Sequence, residues 1–196
     1  MTCVSRETPF ERYQAELLKW DRRIRLVGRS HQNGLQEDHV HDAELFIQHL
    51  DPGITVADVG TGNGMPIIPA LLAAPVFPRR IILVESDARK AAFLRSLRRS
   101  LGLDLEILRS RIEKTPHLGA DVVSAKAFAP LPSLLDLCVP HLAPKGRLLA
   151  FKGKKAEEEI ADARRTWDFD VEREGRNPRT GAVLLVIRNP RRRTPA

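Results

Sequence analysis

The first fifty positions carry apolar side chains every three or four residues, which is the spacing of amphipathic helices. Thr8, Pro9 and Glu11 fit an N-cap, a first-turn proline and a capping-box partner, so a helix is expected to begin near residue 8. Its apolar stripe consists of Phe10, Tyr13, Leu17, Trp20 and Ile24. After a polar stretch at 28–38, a second helical pattern contains Val40, Leu45, Phe46 and Leu50. Both stripes indicate packing against a core.

The pattern changes after a turn at 51–53. Short β-rich runs then alternate with helical stretches of roughly 10 to 15 residues, which is typical of βαβ units. The runs are ITVADV, RIILVE, LEIL, DVVSA, RLLAF and AVLLVI. They predict a mostly parallel sheet with helices on both faces.

The end of the chain breaks this alternation. The segments DFDVERE and AVLLVIR are joined by GRNPRTG, which is too short for a crossover helix and rich in turn residues, so an antiparallel hairpin is expected. The α/β fold predicted is the doubly wound, Rossmann-like sheet of class I methyltransferases. We expect a helical extension at 1–50, a core at 51–190 and a basic tail at 191–196.

Size and composition favour one cytoplasmic domain. The chain has 196 residues, of which 42% are hydrophobic, enough for a single core. No apolar stretch reaches the ~18 residues of a membrane span, and the first ten residues lack the apolar centre of a signal peptide. Cys3 and Cys138 do not have zinc-ligand spacing, so no metal is expected. We also expect a monomer.

The net charge is +7, and arginine outnumbers lysine. A polyanionic partner is favoured because guanidinium groups bind phosphate through paired hydrogen bonds. A GC-rich gene also favours arginine, so charge alone leaves nucleic acid binding open.

A glycine-rich turn follows the first β-rich run. Gly60, Gly62 and Gly64 lie between a strand and a helix, where nucleotide cofactors bind and where glycine permits close approach of the ligand. Asp58 can attract the cationic end of S-adenosylmethionine, whereas its charge would repel a pyrophosphate. Pro66 removes an N–H that a diphosphate would use. The turn alone is a weak signal, but these details favour S-adenosylmethionine.

Glu85 ends the second predicted strand, where a carboxylate can accept hydrogen bonds from both hydroxyls of a ribose. The alternative is an ordinary acidic residue at a strand end. Asp87 can cap the next helix. The outward arginines of that helix, which either contact phosphate or face solvent, are Arg95, Arg98 and Arg99.

Long segments of the chain resemble the RsmG (GidB) family of 16S ribosomal RNA guanine-N7 methyltransferases. The segments are FERYQAELLKWDRRIRL, DHVHDAEL, ADVGTGNGMPIIP, LVESDARKAAFL, SRIEKTP, DVVSAKAFAPLPSLLDLCVPHLAPKGRLLAFKG and AEEEI. The resemblance covers most of the chain. It implies an S-adenosylmethionine-dependent enzyme that methylates guanine N7 in the 16S rRNA of the small ribosomal subunit.

The resemblance also implies a set of residues that bind the cofactor, namely Gly60, Met65, Ile112, Glu113 and Lys126. Met65 and Lys126 stand where the family typically has Phe and Arg, and Ala43 stands where Ser often follows the His39 and Asp42 pattern. Lysine keeps the charge of arginine but not its forked geometry.

Guanine N7 carries an unprotonated lone pair, so methyl transfer to it needs no general base. We therefore predict no acid–base residue and a mechanism of positioning, in which N7 is held in line with the sulfonium methyl. Lys126, near the end of the fourth strand, is the candidate for orienting guanine or the cofactor carboxylate. Its alternative is a surface lysine.

Three further groups of residues have open interpretations. N-cap, core or substrate-lid roles, rather than metal binding, are predicted for His39, His41 and Asp42. Either contact with phosphate or a position in a solvated turn is predicted for Lys152, Lys154 and Lys155. Nonspecific phosphate contact or disorder is predicted for Arg188, Arg191, Arg192 and Arg193.

Two other functions remain open at this point. The same fold and cofactor can serve a small-molecule or protein acceptor, which salt-sensitive RNA binding would argue against. The departures from the family also fit a non-catalytic RNA- or ribosome-binding protein, which cofactor binding would argue against.

Overall fold

A computed structural model of the chain describes residues 8–26, 35–74, 77–177 and 181–194. The strands in these segments are β1 (Thr55–Val59), β2 (Arg80–Val84), β3 (Glu106–Leu108), β4 (Ala120–Lys126), β5 (Leu142–Lys152), β6 (Trp167–Arg176) and β7 (Val183–Arg192). Together they form one sheet in the order β3-β2-β1-β4-β5-β7-β6. Strands β1 to β5 run parallel to one another, and β7 is antiparallel to both β5 and β6. The predicted fold class and the C-terminal hairpin are confirmed.

The helices of the same segments are α1 (Pro9–Asp21), α2 (Leu35–Ile47), α3 (Ile67–Ala73), α4 (Ala88–Leu101), α5 (Leu131–Cys138) and α6 (Ala156–Ala163). They cover both faces of the sheet. Neighbouring strand residues such as Val56 and Ala57 belong to different buried clusters, because successive side chains point to opposite faces. Helices α1 to α4 contribute to the cluster containing Val56, and α5 and α6 to the other. None of the helices described is both long and apolar enough to cross a membrane.

Helix α1 begins with the predicted capping box. Thr8 N donates to Glu11 Oε2 at 2.6 Å, and Glu11 N donates to Thr8 Oγ1 at 3.2 Å. The buried side of α1 packs on α4, where the rings of Trp20 and Phe93 meet edge-on with centroids 5.9 Å apart. The helical extension therefore shares the core of the sheet rather than forming a separate arm.

Two predicted boundaries differ from the structure. Helix α2 begins at Leu35, inside the stretch read as polar connection, because its Gln and Glu residues are good helix formers although they lack apolar periodicity. Strand β7 continues to Arg192, two residues into the predicted tail, because it pairs with the start of β6 through the Trp167 and Arg192 register.

Candidate active site

The carboxyl ends of the parallel strands β1 to β5 meet at one edge of the sheet, which we call the carboxyl edge. Val59 pairs in register with Val84, and Asp58 with Ser124, so the residues after β1, β2 and β4 converge there. The chain places β2 and β3 on one side of β1, and β4 and β5 on the other. Open α/β sheets bind ligands at such a point, where the strand order reverses.

Glu85 supports the glycine-rich turn. Its buried carboxylate accepts from Gly62 N at 2.9 Å and from Asp87 N at 2.8 Å, one bond to each oxygen. Gly60 N also donates to Val84 O at 2.9 Å, which ties the turn to the end of β2. Each carboxylate oxygen has a second lone pair, so Glu85 can brace the turn and still accept from hydroxyl groups of a ligand.

Asp58 is 1% exposed at the end of β1. Its Oδ1 accepts from Ser124 Oγ at 2.5 Å, while its Oδ2 is buried and has no hydrogen-bond partner among the described residues. Burial raises the pKa of Asp58 to about 7. Buried polar atoms normally have partners, so this oxygen fits a hydrogen-bonding cationic ligand.

Tyr13 of α1 fixes the far side of the turn. Its hydroxyl donates to Asn63 O at 3.1 Å, and Asn63 Oδ1 accepts from Met65 N at 3.2 Å. Met65 is buried, and Gly64 lies so close to Ile68 that a Cβ there would be 2.7 Å from Cγ1 of that side chain. Tyr13 was predicted only as a core residue; a hydroxyl at a fully buried helical position was the signal that it needs a partner.

Lys126, at the end of β4, donates to Asp42 Oδ2 on α2. The Asp42 side chain is 5% exposed and that of Lys126 is 29% exposed. The pair therefore lies between the core and the crevice at the carboxyl edge, which is formed by the glycine-rich turn and the residues after β2 and β4. Of the three roles predicted for Asp42, the core role is closest, because it forms a nearly buried ion pair. His41 has a buried Nε2 without a partner among the described residues. The side chain of His39 lies outside the described residues.

The loop after β4 runs beside the glycine-rich turn. Ala127 has a φ of 50°, a left-handed conformation that is rare for a residue with a Cβ. The next side chain, Phe128, lies against Gly60: a Cβ added to that glycine would be 2.8 Å from Cε2 of the ring and closer still to Cδ2. The residue is 41% exposed, so it forms a wall of the crevice.

Lys152 was predicted either to contact phosphate or to lie in a solvated turn. This prediction is wrong, because Lys152 is buried. Its Nζ donates to Ala129 O and pairs with Glu159 at 2.8 Å. Glu159 Oε2 also accepts from Leu131 N at 2.7 Å. Lys152 and Glu159 thus hold the loop after β4 in place. Sequence reasoning missed Glu159, for which no local motif gives a signal.

Ile112 and Glu113 lie in a short 3-10 helix, Ile112–Lys114, which follows β3 at the same edge of the sheet. Ile112 is buried and Glu113 is exposed. Glu85 N donates to Leu108 O at 3.0 Å, which joins the end of β2 to the end of β3. The topology therefore brings both residues to the carboxyl edge with Glu85.

Two exposed cations at the carboxyl edge, Lys154 and Lys155, follow β5. The start of β7 lies at the same edge, since Val183 pairs with Lys152 and a Cβ on Gly181 would be 3.5 Å from Lys154 Cγ. Sequence reasoning did not assign Gly181 or Val183 to this edge.

The C-terminal arginines lie at the opposite edge, because β7 runs antiparallel and carries them away from the crevice. Arg192 pairs with Asp136 at 2.9 Å. Two further pairs, at 3.0 Å and 3.3 Å, are those of Arg188 with Glu172 and Arg193 with Asp168. These arginines do not form the free basic tail that was predicted, because the strand extends further than its composition suggested. No group of three or more metal-ligating side chains occurs in the described segments.

The strand order, the glycine-rich turn after β1 and the acidic residue after β2 define a class I S-adenosylmethionine-dependent methyltransferase. Solved structures share this fold. An S-adenosylmethionine-dependent methyltransferase from Aquifex aeolicus matches with a TM-score of 0.61 at 19% identity, covering 89% of this chain and 97% of that one. Ribosomal protein L11 methylase from Lactobacillus delbrueckii subsp. bulgaricus matches with a TM-score of 0.61 at 20% identity, covering 78% of each chain.

The chain belongs to the GidB family, rRNA small subunit methyltransferase G, whose sequence pattern matches residues 6–182. Ribosomal RNA small subunit methyltransferase G from Cereibacter sphaeroides is 40% identical over 190 residues, covering 94% of this chain and 91% of the relative. The protein of the same name from Rhizobium rhizogenes is 39% identical over 198 residues, covering 97% and 96%. The family resemblance seen in the sequence is thereby confirmed.

Proposed function

We propose that this protein transfers the methyl group of S-adenosylmethionine to N7 of a guanine in 16S ribosomal RNA. The observation that carries the proposal is the placement of two buried carboxylates, Asp58 and Glu85, on either side of the turn at Gly60. One has an unpartnered oxygen and the other braces the turn. A ribosomal substrate also implies a cytoplasmic location.

The residues at the carboxyl edge fit the cofactor. Asp58 Oδ2 would accept from its ammonium group, which supplies the missing hydrogen bond of that oxygen. Glu85 would accept from the ribose hydroxyls through its remaining lone pairs. When bound, the cofactor supplies a methyl group made electrophilic by the positive sulfonium. The other proposed cofactor-binding residues are Gly60, Gly62, Gly64, Met65, Ile112, Glu113 and Lys126.

The protein's own contribution is positioning. The N7 lone pair of guanine is free at neutral pH, so no side chain has to remove a proton before the transfer. Lys126 would orient the guanine or the cofactor carboxylate, and Asp42 holds its ammonium group in place. Holding the two reactants in line lowers the barrier by about 7 kcal/mol or more in favourable cases.

The RNA would approach from the carboxyl edge. The net charge of +7 favours a polyanion, and the exposed Lys154 and Lys155 stand beside the crevice. We also propose that the enzyme acts as a monomer.

Methyl-labelled cofactor and small ribosomal subunits from a strain that lacks this protein provide the test. Labelled RNA is cleaved with borohydride and aniline, which is selective for N7-methylguanine. Label at a cleaved guanine of 16S rRNA is the expected result. Label on another atom or another acceptor would contradict the proposal. Failure of folded protein to bind millimolar S-adenosylmethionine in a calorimeter would identify a non-catalytic relative instead.

A further inference from the structure

Phe128 is an exposed aromatic ring held at a defined place in the crevice. It follows Lys126 by two residues, and its ring lies against Gly60 of the glycine-rich turn while 41% of the residue stays exposed. The proposed binding of the cofactor uses the backbone of the turn and leaves this ring without a role. A side chain that only filled the core would be covered on both faces.

The backbone around Phe128 is fixed from both sides. Ala127, immediately before it, has a left-handed φ of 50°, which is unfavourable for a residue with a Cβ and persists only where neighbouring structure enforces it. After it, Ala129 O accepts from Lys152, and Leu131 N donates to Glu159 at 2.7 Å. Such strain in a braced loop is characteristic of functional sites, and here it aims one exposed ring at the crevice.

The order of the strands separates the crevice into two halves. Apart from Lys126, the residues proposed to hold the cofactor lie at the carboxyl ends of β1, β2 and β3: Asp58 and the turn, then Glu85, then Ile112. Phe128 follows β4, on the other side of β1. The side of the crevice at β4, where Phe128 lies, is therefore left for the methyl acceptor.

The chemistry of guanine suits an aromatic contact at this position. The N7 lone pair lies in the plane of the base, so the edge of the base must face the methyl group and both faces of the base remain free. A ring stacked on one face fixes that plane without competing for N7, and it offers no hydrogen bond that would hold the base in a wrong orientation.

We propose that Phe128 is the platform on which the target guanine stacks during methyl transfer. This inference rests on the proposed function, and it adds a substrate-contacting residue to the site. If Phe128 were instead a lid over the cofactor, replacing it would change the affinity for the cofactor.

The test compares Phe128→Leu, Phe128→Tyr and Phe128→Trp. Leucine keeps an apolar contact with Gly60 but has no flat ring, whereas tyrosine and tryptophan keep the ring. We expect F128L to lower kcat/KM for small ribosomal subunits by about tenfold or more. F128Y and F128W should retain most of the wild-type kcat/KM. The affinity for S-adenosylhomocysteine, measured by calorimetry, should change by less than about threefold in all three variants, which is little more than the scatter expected for independent sites.

Phe77→Leu is the matched control. Phe77 is 55% exposed and lies just before β2, at the end of the sheet away from the crevice, so the same change there should leave kcat/KM unaltered. Wild-type activity in F128L, or an equal loss of cofactor affinity and kcat/KM, would overturn the inference. If the wild-type protein itself methylates no guanine, the proposed function fails first, and that outcome is visible before any variant is measured.

Discussion

Lys126 and Asp42 form an ion pair across 84 residues of sequence, joining the end of β4 to helix α2. The carboxylate is the more buried partner, with 5% of its side chain exposed against 29% for the lysine. The helical extension therefore contributes directly to the crevice, and the position of the lysine ammonium depends on it.

The two halves of this pair should differ in their effect on stability. Lys126→Met leaves a nearly buried carboxylate without a partner and should lower the free energy of unfolding by about 2 to 3 kcal/mol. Asp42→Asn leaves a partly exposed ammonium and should cost only about 1 kcal/mol. Urea unfolding measures both, with Glu44→Gln on the exposed side of α2 as the control. A larger loss for D42N would show that the burial argument is wrong.

Gly60→Ala should impair both cofactor binding and stability. The φ of +67° costs a residue with a Cβ about 1 to 2 kcal/mol, and the added atom would also collide with the Phe128 ring. We expect cofactor affinity, measured by calorimetry, to fall by at least about tenfold, the effect of losing about 1.4 kcal/mol.

Gly53→Ala separates the two effects. Its φ of +82° carries a similar backbone cost, but nothing lies within 4 Å of the added Cβ. It should lower stability without affecting cofactor affinity. Equal losses of stability in G53A and G60A would mean that the ring yields freely, and equal cofactor affinity would remove Gly60 from the site.

Stability should depend on pH through Asp58. Its pKa is about 7 in the folded protein against an ordinary value of 3.8, because burial disfavours the charge. Between these values the folded state holds a proton that the unfolded state has released, so stability falls as pH rises through this window. Asp58→Asn removes the titration and keeps an acceptor for Ser124. The Tm of D58N should exceed that of the wild type increasingly from pH 4 to about pH 7.

The same carboxylate should make cofactor binding improve with pH. Ionised Asp58 attracts the ammonium group, so wild-type affinity is expected to rise as pH increases through about 7 and then level off. D58N should bind weakly at every pH. Calorimetry with S-adenosylhomocysteine at several pH values checks this, and a wild-type affinity that stays flat over this range would contradict the proposed role of Asp58.

RNA binding should depend on the lysines of the carboxyl edge and not on the arginines of β7. Replacing Lys154 and Lys155 by Gln should weaken binding to 16S rRNA and reduce the slope of log affinity against log salt by about 1 for each lost phosphate contact. Arg191→Gln, at the opposite edge, is the control and should leave the slope unchanged. The reverse pattern would place the RNA on the other edge of the sheet.

The architecture was predictable from local patterns because each element carries its own signal. The buried strands are apolar runs, the turn residues of GRNPRTG mark the final hairpin, and Thr8 with Glu11 marks the first helix. Asp58 and Glu85 could be placed at the ligand edge because parallel strands align their carboxyl ends there.

The contacts between distant elements were not predictable in this way. No periodicity links Asp42 to Lys126, and no motif shows that Lys152 turns inward to Glu159. The end of β7 was missed because its Asn, Pro and Arg residues have low strand propensity and form a strand only through pairing with β6. For that reason the C-terminal arginines were predicted as a free basic tail, whereas they belong to or directly follow a paired strand.

A crystal structure of the protein with S-adenosylhomocysteine tests the site most directly. We expect the amino group of the ligand within hydrogen-bond distance of Asp58 Oδ2 and its ribose hydroxyls at Glu85, with the homocysteine chain passing Gly60. Ligand bound at another edge of the sheet, or Asp58 Oδ2 still without a partner in the complex, would contradict it.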